Sequence, residues 1–293
     1  MEWYETQAGL VDEEGWKRRI LELCREKIRF NNAENELSDR LFSALKKRLP
    51  DSPFGVMFSG GVDSTLIAFA AKKLGAEPIC FSVGMKNSED LRWASLAAGE
   101  LGFQLEKKVF SQEEFEDAIR EVKAILRTDD SVTLSIGAVI YSALKLAKSK
   151  GVNILFSGLG SEEIFAGYDR HLKALKSGAD VNEECRKGLL SMYKRDLLRD
   201  YPIARALSCE IRTPFLDEDV IRLAMSMPSS LKISETEKKI ILRKAAVFLG
   251  LPERFAMRKK RAAQYGSGFD RELRRAAKRH GFSFRKDYVE NLP

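Results

Sequence analysis

The stretch from Phe54 to Ser64, FGVMFSGGVDS, constrains this chain most, because an apolar run ends there in a glycine pair and opens at once into a periodic helix. Phe54 to Phe58 suit a strand buried on both faces, and Leu66, Ile67, Phe69, Ala70 and Leu74 then recur at helical spacing. Gly60 and Gly61 let the backbone bend sharply and come close to a ligand. Successive N–H groups and the positive end of the helix then point into one concavity suited to phosphate. Ser59 and Ser64 add hydroxyl donors. Asp63, an acid beside an anion site, makes sense as a ligand of Mg2+ bridging phosphate oxygens. A Walker A loop would need GxxxxGK followed by Ser or Thr, and no lysine follows these glycines, so terminal phosphoryl transfer by a P-loop is not the natural reading.

Apolar runs alternate with helical patterns on either side of this loop. Residues 12 to 31 carry Trp16, Ile20, Leu23, Cys24 and Ile28 on one helical face, and a second helix runs through Leu37, Leu41, Phe42 and Leu45 until Pro50. The pair is expected to cover one side of a sheet, with dimer contact as the other reading. Pro78–Val83, Leu105–Phe110 and Val152–Gly158 read as further strands. Ser88–Leu101, Gln112–Leu126 and Leu134–Ala147 read as helices between them. Strands alternating with helices of this length predict a doubly wound parallel α/β sheet, with ligands at the carboxyl ends of its strands. We expect an N-terminal helical extension over 1–50 and one larger domain over 51–293, its nucleotide-binding sheet over about 51–170 and a helical part over about 171–293.

Charge and composition narrow the chemistry. With 293 residues and a net charge of +7 the chain has ample material for a core and favours anionic ligands, nucleotides first, with RNA left open. Cys24, Cys80, Cys185 and Cys209 lie far apart with no CxxC pair, which suggests neither a disulfide framework nor a zinc site. His171 and His280, the only histidines, argue against a histidine-based metal centre or triad. No signal peptide is visible in MEWYETQ, and Leu134–Leu144 is too short to span a bilayer, so a cytoplasmic protein with no membrane part is expected.

A second glycine turn, SGLGSEEIFAGYDRH from Ser157 to His171, also falls at a strand end. Glu162 and Glu163 open a helix directly after it. One of them could reach a Mg2+ held jointly with Asp63, although acids are favoured in any first helical turn.

SGGVDS in its strand–turn–helix setting resembles the pyrophosphate-binding (PP-loop) turn of the ATP pyrophosphatases, which cleave ATP to AMP and pyrophosphate. Together with SGLGSEEIFAGY it resembles the carboxy-terminal synthetase domain of the asparagine synthetases, whose second motif has the form SGxGxDExFxGY. EIRTPFLD, residues 210 to 217, is similar to that family's ExRxPFLD, and EKKIILR, Glu237 to Arg243, to its lysine helix. The four motifs occur in the family's order and cover roughly residues 50 to 270.

The resemblance implies an α/β fold of the adenine-nucleotide alpha-hydrolase type and the cofactors ATP and Mg2+. It implies that Ser59, Gly60, Gly61, Asp63 and Ser64 bind the pyrophosphate end of ATP, with Asp63 and Glu162 as metal ligands. Val83 would contact adenine through backbone groups, and Ser157 and Gly158 would line the nucleotide near its sugar and alpha phosphate. Lys239 matches the lysine directed at the alpha phosphate, where a fixed cation would stabilise a five-coordinate phosphorus. Tyr168 would shape the acyl pocket, with a core tyrosine as the plainer reading. Arg212 is expected to anchor a loop through Glu210 or Asp217. The basic run Arg258–Gly268 resembles the family's late loop over the site, where it would clamp phosphate or merely be solvated.

Two departures from the family stand out. The chain begins Met1, Glu2, Trp3 where complete asparagine synthetases carry a glutaminase domain with a cysteine after the initiator methionine, so nitrogen is expected as free ammonia, from a separate glutaminase, or as another amine. Leu159 stands between the glycines of the second motif, where true asparagine synthetases often have glutamate, and an apolar side chain there cannot accept a proton or pair with an amino group. The expectation is an AMP- and pyrophosphate-forming carbon–nitrogen ligase, ammonia-dependent asparagine formation being the default case. A sulfur-transferring or RNA-modifying PP-loop enzyme and a non-catalytic nucleotide-binding protein are the alternatives. The small-molecule partners would be aspartate or a related carboxylate and an amine.

Overall fold

A five-stranded sheet forms the centre of the computed structural model, which describes residues 2–259 and 262–292. The chain opens with a small antiparallel pair, β1 (Glu5–Thr6) and β2 (Gly9–Leu10), then α1 (Glu13–Arg25) and α2 (Ala33–Lys46). The sheet is built from β3 (Gly55–Met57), β4 (Ile79–Met85), β5 (Gln104–Phe110), β6 (Ile154–Phe156) and β7 (Glu210–Arg212). Helix α3 (Val62–Lys73) joins β3 to β4, α4 (Glu89–Leu101) joins β4 to β5, and α5 (Gln112–Leu126) with α6 (Ser131–Ser149) leads to β6. Between β6 and β7 lie α7 (Ser161–Ile164), α8 (Asp169–Lys176), α9 (Val181–Met192) and α10 (Leu198–Ala206). The rest is helical, from α11 (Glu218–Ser226) and α12 (Ile240–Phe248) through α13 (Glu253–Ala256), α14 (Ala263–Gly266), α15 (Phe269–Arg279) and α16 (Arg285–Glu290).

Strand order is β5-β4-β3-β6-β7, and every neighbouring pair is parallel. The chain winds outward from β3 to β5 and then returns to place β6 on the other side of β3. That reversal makes a crevice at the carboxyl ends of β3 and β6, where open α/β sheets bind ligands. Both glycine turns leave the sheet there.

Period-2 alternation along each strand divides the core between the two faces. Val56, Phe58, Cys80 and Phe156 join one apolar cluster with α3 and α4, while Phe81, Val83, Met85 and Leu155 join another with α5, α6 and α15. A parallel sheet covered on both sides requires such runs. Helix starts follow from their capping residues: Asp12, Asn32, Ser88, Ser111 and Asp130 each accept a hydrogen bond from a backbone N–H in the first helical turn. Helix α3 is different, because it starts at Gly61 with no side-chain cap.

The structure departs from the sequence reading in several places. Strand β7 and the β1–β2 pair carry no clear apolar alternation and were legible only as a motif and a polar terminus. The lead helices pack mainly against the C-terminal helices, α1 on α9 and α11 and α2 on α11 and α12, and approach the sheet through α3. Trp16 is fully buried there, stacked on Trp3 at 4.9 Å and donating from Nε1 to the Leu189 carbonyl at 2.9 Å. Helix α6 is longer than the segment Leu134–Leu144, and its 19 residues are enough by length and composition to cross a bilayer. It instead packs on β4, α5, α10 and α15 as a core helix.

Candidate active site

The turn after β3 has the form that its glycines imply. Gly60 has φ 69, and a Cβ there would lie 2.6 Å from the Trp93 carbonyl carbon and 2.8 Å from the Ala94 nitrogen, so only glycine fits against the backbone of α4. The Ser59 hydroxyl accepts weakly from Gly61 N–H at 3.4 Å, and Ser64 Oγ accepts from Ser59 N–H and contacts the Gly61 carbonyl, each at 3.3 Å. The amino end of α3 faces the same turn without a side-chain cap, as an anion cradle requires.

Asp63 stands in the first turn of α3 and meets Lys239. The ammonium donates to Asp63 Oδ1 and Oδ2 at 2.9 Å each, to Glu162 Oε1 at 2.6 Å and to the Ser161 hydroxyl at 3.1 Å. Lys239 is 4% exposed. Burial alone would lower its pKa, but Asp63 and Glu162 outweigh that and hold it above the ordinary lysine value. Its backbone is left-handed, φ 57, at the start of α12. Gly167 makes room for this meeting, since a Cβ there would lie 2.5 Å from Lys239 Cε and would also strike the Glu162 carboxylate.

The two adjacent acids of the second turn separate cleanly. Glu162 faces Asp63 and Lys239, whereas Glu163 is buried and pairs with Arg195. Burial first and Asp196 next push the Glu163 carboxyl above the usual range, against the pull of Arg195. Tyr168 belongs to this second cluster. Its ring stacks on His171, with the Arg170 guanidinium 4.3 Å and that of Arg195 5.6 Å from its centroid. Burial, then Glu163 and Asp196, raise its hydroxyl pKa.

Val83 lies in β4, buried. Strand alternation turns its N–H and C=O the same way as those of Phe81, whose carbonyl accepts from Phe58 N–H at 2.7 Å, toward the side on which β3 has already ended. Ser157 follows β6, its N–H donating to the Arg212 carbonyl at 2.9 Å and its hydroxyl accepting from Leu159 N–H at 3.3 Å. A Cβ on Gly158 would sit 2.8 Å from Asp63 Cβ, so the two turns abut. Leu159 lines a cavity with Tyr4, Leu10, Asp200 and Tyr201, whose lining includes neither Asp63 nor Glu162.

Arg212 pairs with Glu210 at 2.7 Å and donates to the Arg48 carbonyl, whereas Asp217 pairs with Arg48 at 2.7 Å. Of the basic run, Lys260 and Arg261 lie outside the described residues. Arg258, the first residue of that run, is buried rather than solvated and donates to the Ser59 carbonyl at 2.6 Å and to Asp90 at 2.9 Å, so it grips the loop from the late segment. Ser161 and Gly167 were not singled out by the sequence, although both lie inside the second motif. The basic residues of α15 and beyond are largely paired with acids: Arg274 with Asp270, Arg275 with Glu272, and Arg279 with Glu116 and Glu272.

The donor set fits a hard divalent cation. Asp63 and Glu162 supply two carboxylates at one point beside an anion cradle, the protein share that Mg2+ takes when phosphates and water complete its shell. No group of three or more acidic, histidine or cysteine side chains that could hold a metal occurs among the described residues.

Comparison with known proteins shows the family. The family model for asparagine synthase matches residues 36–181 and 173–283. A Methanocaldococcus jannaschii protein provisionally named as a glutamine-hydrolyzing asparagine synthetase is 33% identical over 92% of this chain and 56% of its own length. The glutamine-hydrolyzing asparagine synthetase 1 of Arabidopsis thaliana is 36% identical over 69% of this chain and 37% of its own length. The chain thus spans about half or less of the curated relatives it matches. An NMN synthetase structure from Francisella tularensis aligns over 90% of this chain and 94% of that one at 12% identity, with a TM-score of 0.46, too distant a likeness to bear on function.

Proposed function

This chain belongs to the asparagine synthase family, and from that premise we propose that it is an ATP-dependent ligase that adenylates a carboxylate, releases pyrophosphate, and joins an amine to the activated acid with release of AMP. The observation that carries this reading is the convergence of Asp63, Glu162 and Lys239 at the switch point of the sheet, beside an uncapped helix start. Pure nucleotide binding would not need a buried lysine held by two carboxylates.

The chain's own groups divide the work. The Gly60–Gly61 backbone with Ser59 and Ser64 would hold the pyrophosphate end of ATP, Val83 would meet adenine through its backbone, and Ser157 and Gly158 would lie along the sugar and alpha phosphate. Asp63 and Glu162 would hold Mg2+, which when bound neutralises charge on the leaving pyrophosphate. A carboxylate oxygen of the substrate attacks the alpha phosphorus and the bond to the bridging oxygen breaks. Lys239 offsets the charge that builds on the five-coordinate phosphorus. The amine nitrogen then attacks the acyl carbon, loses a proton, and expels AMP. Tyr168 would border the acyl pocket.

Aspartate and ammonia are the default substrates in this proposal, and Leu159 is the reason to test them first. Sulfur transfer has less support. Cys80 and Cys185 are buried, and burial raises the pKa of all four thiols, Cys24 to about 11. Pyrophosphate and AMP release from ATP and Mg2+, with aspartate and with or without ammonium, tests the proposal when the product is read by mass spectrometry. Asparagine formed only with ammonium supports the full reading. AMP without asparagine keeps the ligase and moves the search to other acids and amines, and no AMP with a broad panel of acids overturns it.

A further inference from the structure

We infer that Lys239 is a residue with two stations: at the first, its ammonium occupies the point between Asp63 and Glu162 and bars a divalent cation from it, and at the second it serves the phosphates of the nucleotide that arrives with the metal. The inference rests on the proposed reading of Asp63 and Glu162 as metal holders, and adds that this chain carries its own competitor for the metal.

The first station is fully formed. A lysine ammonium has three N–H donors, and four oxygens surround this one: both of Asp63, one of Glu162 and the hydroxyl of Ser161. A cation shared by the same two carboxylates would take the space the ammonium fills, and like charges at that range repel. Metal and ammonium are therefore alternatives at this point.

The surroundings allow an exchange. Lys239 is held in a left-handed backbone conformation, φ 57, a sparsely populated form that clusters at active sites, ligand clamps and switch regions. The segment before it, Glu235–Glu237, is exposed, and the turn that carries it is closed by the bridge between Ile233 and Lys238 and by Ser234, whose N–H donates to the Glu237 carbonyl at 2.8 Å and whose hydroxyl accepts from Glu237 N–H at 3.1 Å. The Glu162 side chain is 35% exposed against 12% for Asp63, so the carboxylate pair opens to solvent on the Glu162 side. A polyanion entering over the loop after β3 offers the ammonium new acceptors as it delivers the metal. Metal loading thereby becomes conditional on nucleotide.

The test is Mn2+ binding to the whole protein without nucleotide, read from the free-ion electron paramagnetic resonance signal. Lys239→Gln and Lys239→Met should each bind Mn2+ at least ~10-fold more tightly than wild type, and adding Asp63→Asn to Lys239→Gln should cancel the gain. The glutamine variant keeps a hydrogen bond to the carboxylates and guards against a misfolded methionine variant. Wild type with a non-hydrolysable ATP analogue supplies the separate check on the metal site. If Mn2+ binding with the analogue depends on Asp63 while neither lysine variant gains affinity, the two-station inference falls and the metal assignment stands. Binding with the analogue that is indifferent to Asp63→Asn overturns both.

Discussion

Lys239 places its ammonium 2.9 Å from each carboxylate oxygen of Asp63, a residue 176 positions earlier in the chain. The contact ties the helix after the PP-loop to the lysine helix, and Asp63→Asn tests its meaning. Lys239 would keep Glu162 and Ser161 as acceptors, so the fold should persist while AMP formation drops by ~10²-fold or more, about 2.7 kcal/mol in activation free energy. Circular dichroism and pyrophosphate release decide it, and unchanged release would remove Asp63 as a metal ligand.

Lys239→Met should lower kcat for adenylation by ~10²–10³-fold, the range expected when one fixed electrostatic donor to a developing charge is lost. The Michaelis constant for ATP should move much less. A variant that lost only ATP affinity would place the lysine in binding rather than in the transition state.

Gly60→Ala sets a side chain against the backbone of Trp93 and Ala94 at a positive φ. We expect a loss of ~1–3 kcal/mol in stability and no detectable binding of an ATP analogue by calorimetry. Retained binding would mean that the turn is not the phosphate cradle.

His171 is buried, its Nδ1 accepting from Tyr168 N–H at 3.1 Å. Burial first, then Arg170 and other nearby cations, lower its pKa to about 3. The folded state thus keeps the ring neutral while the unfolded chain takes up a proton near the ordinary value of about 6.5. Its contribution to stability is full above that value and is lost as pH falls from there toward about 3, at about 1.4 kcal/mol per pH unit. Thermal melting of His171→Asn, whose amide oxygen can still accept from Tyr168, should show a shallower fall over that window than wild type.

Replacing Cys24, Cys80, Cys185 and Cys209 singly by alanine should leave AMP formation within ~2-fold of wild type, because no thiol enters the proposed chemistry and burial holds each of them protonated. A 100-fold loss from any one would favour the sulfur-transfer alternative.

Much of the architecture was legible because its cause is local. Buried parallel strands announce themselves as apolar runs, amphipathic helices as 3.6-residue spacing, and the two turns after β3 and β6 as closely spaced glycines at strand ends. The doubly wound class followed from alternation, and Asp63, Glu162 and Lys239 could be named because each lies in a motif that resembles the family's. Less was legible where the signal was short or mixed: β7 has three half-buried residues, and the β1–β2 pair has two residues per strand.

The sequence by itself determined four of the sheet's strands, β3 to β6, the helices between them and the two glycine turns, since these depend on which neighbours along the chain are apolar, flexible or polar. Only the tertiary structure decided that Glu163 turns to Arg195 while Lys239 bridges Asp63 and Glu162, that Arg258 rather than another basic residue grips the loop at Ser59, and that Gly167 makes room for the lysine. Those choices depend on distances between elements tens to hundreds of residues apart. Charge pairing at such range is set by how the sheet and helices pack, and no spacing along the chain encodes it.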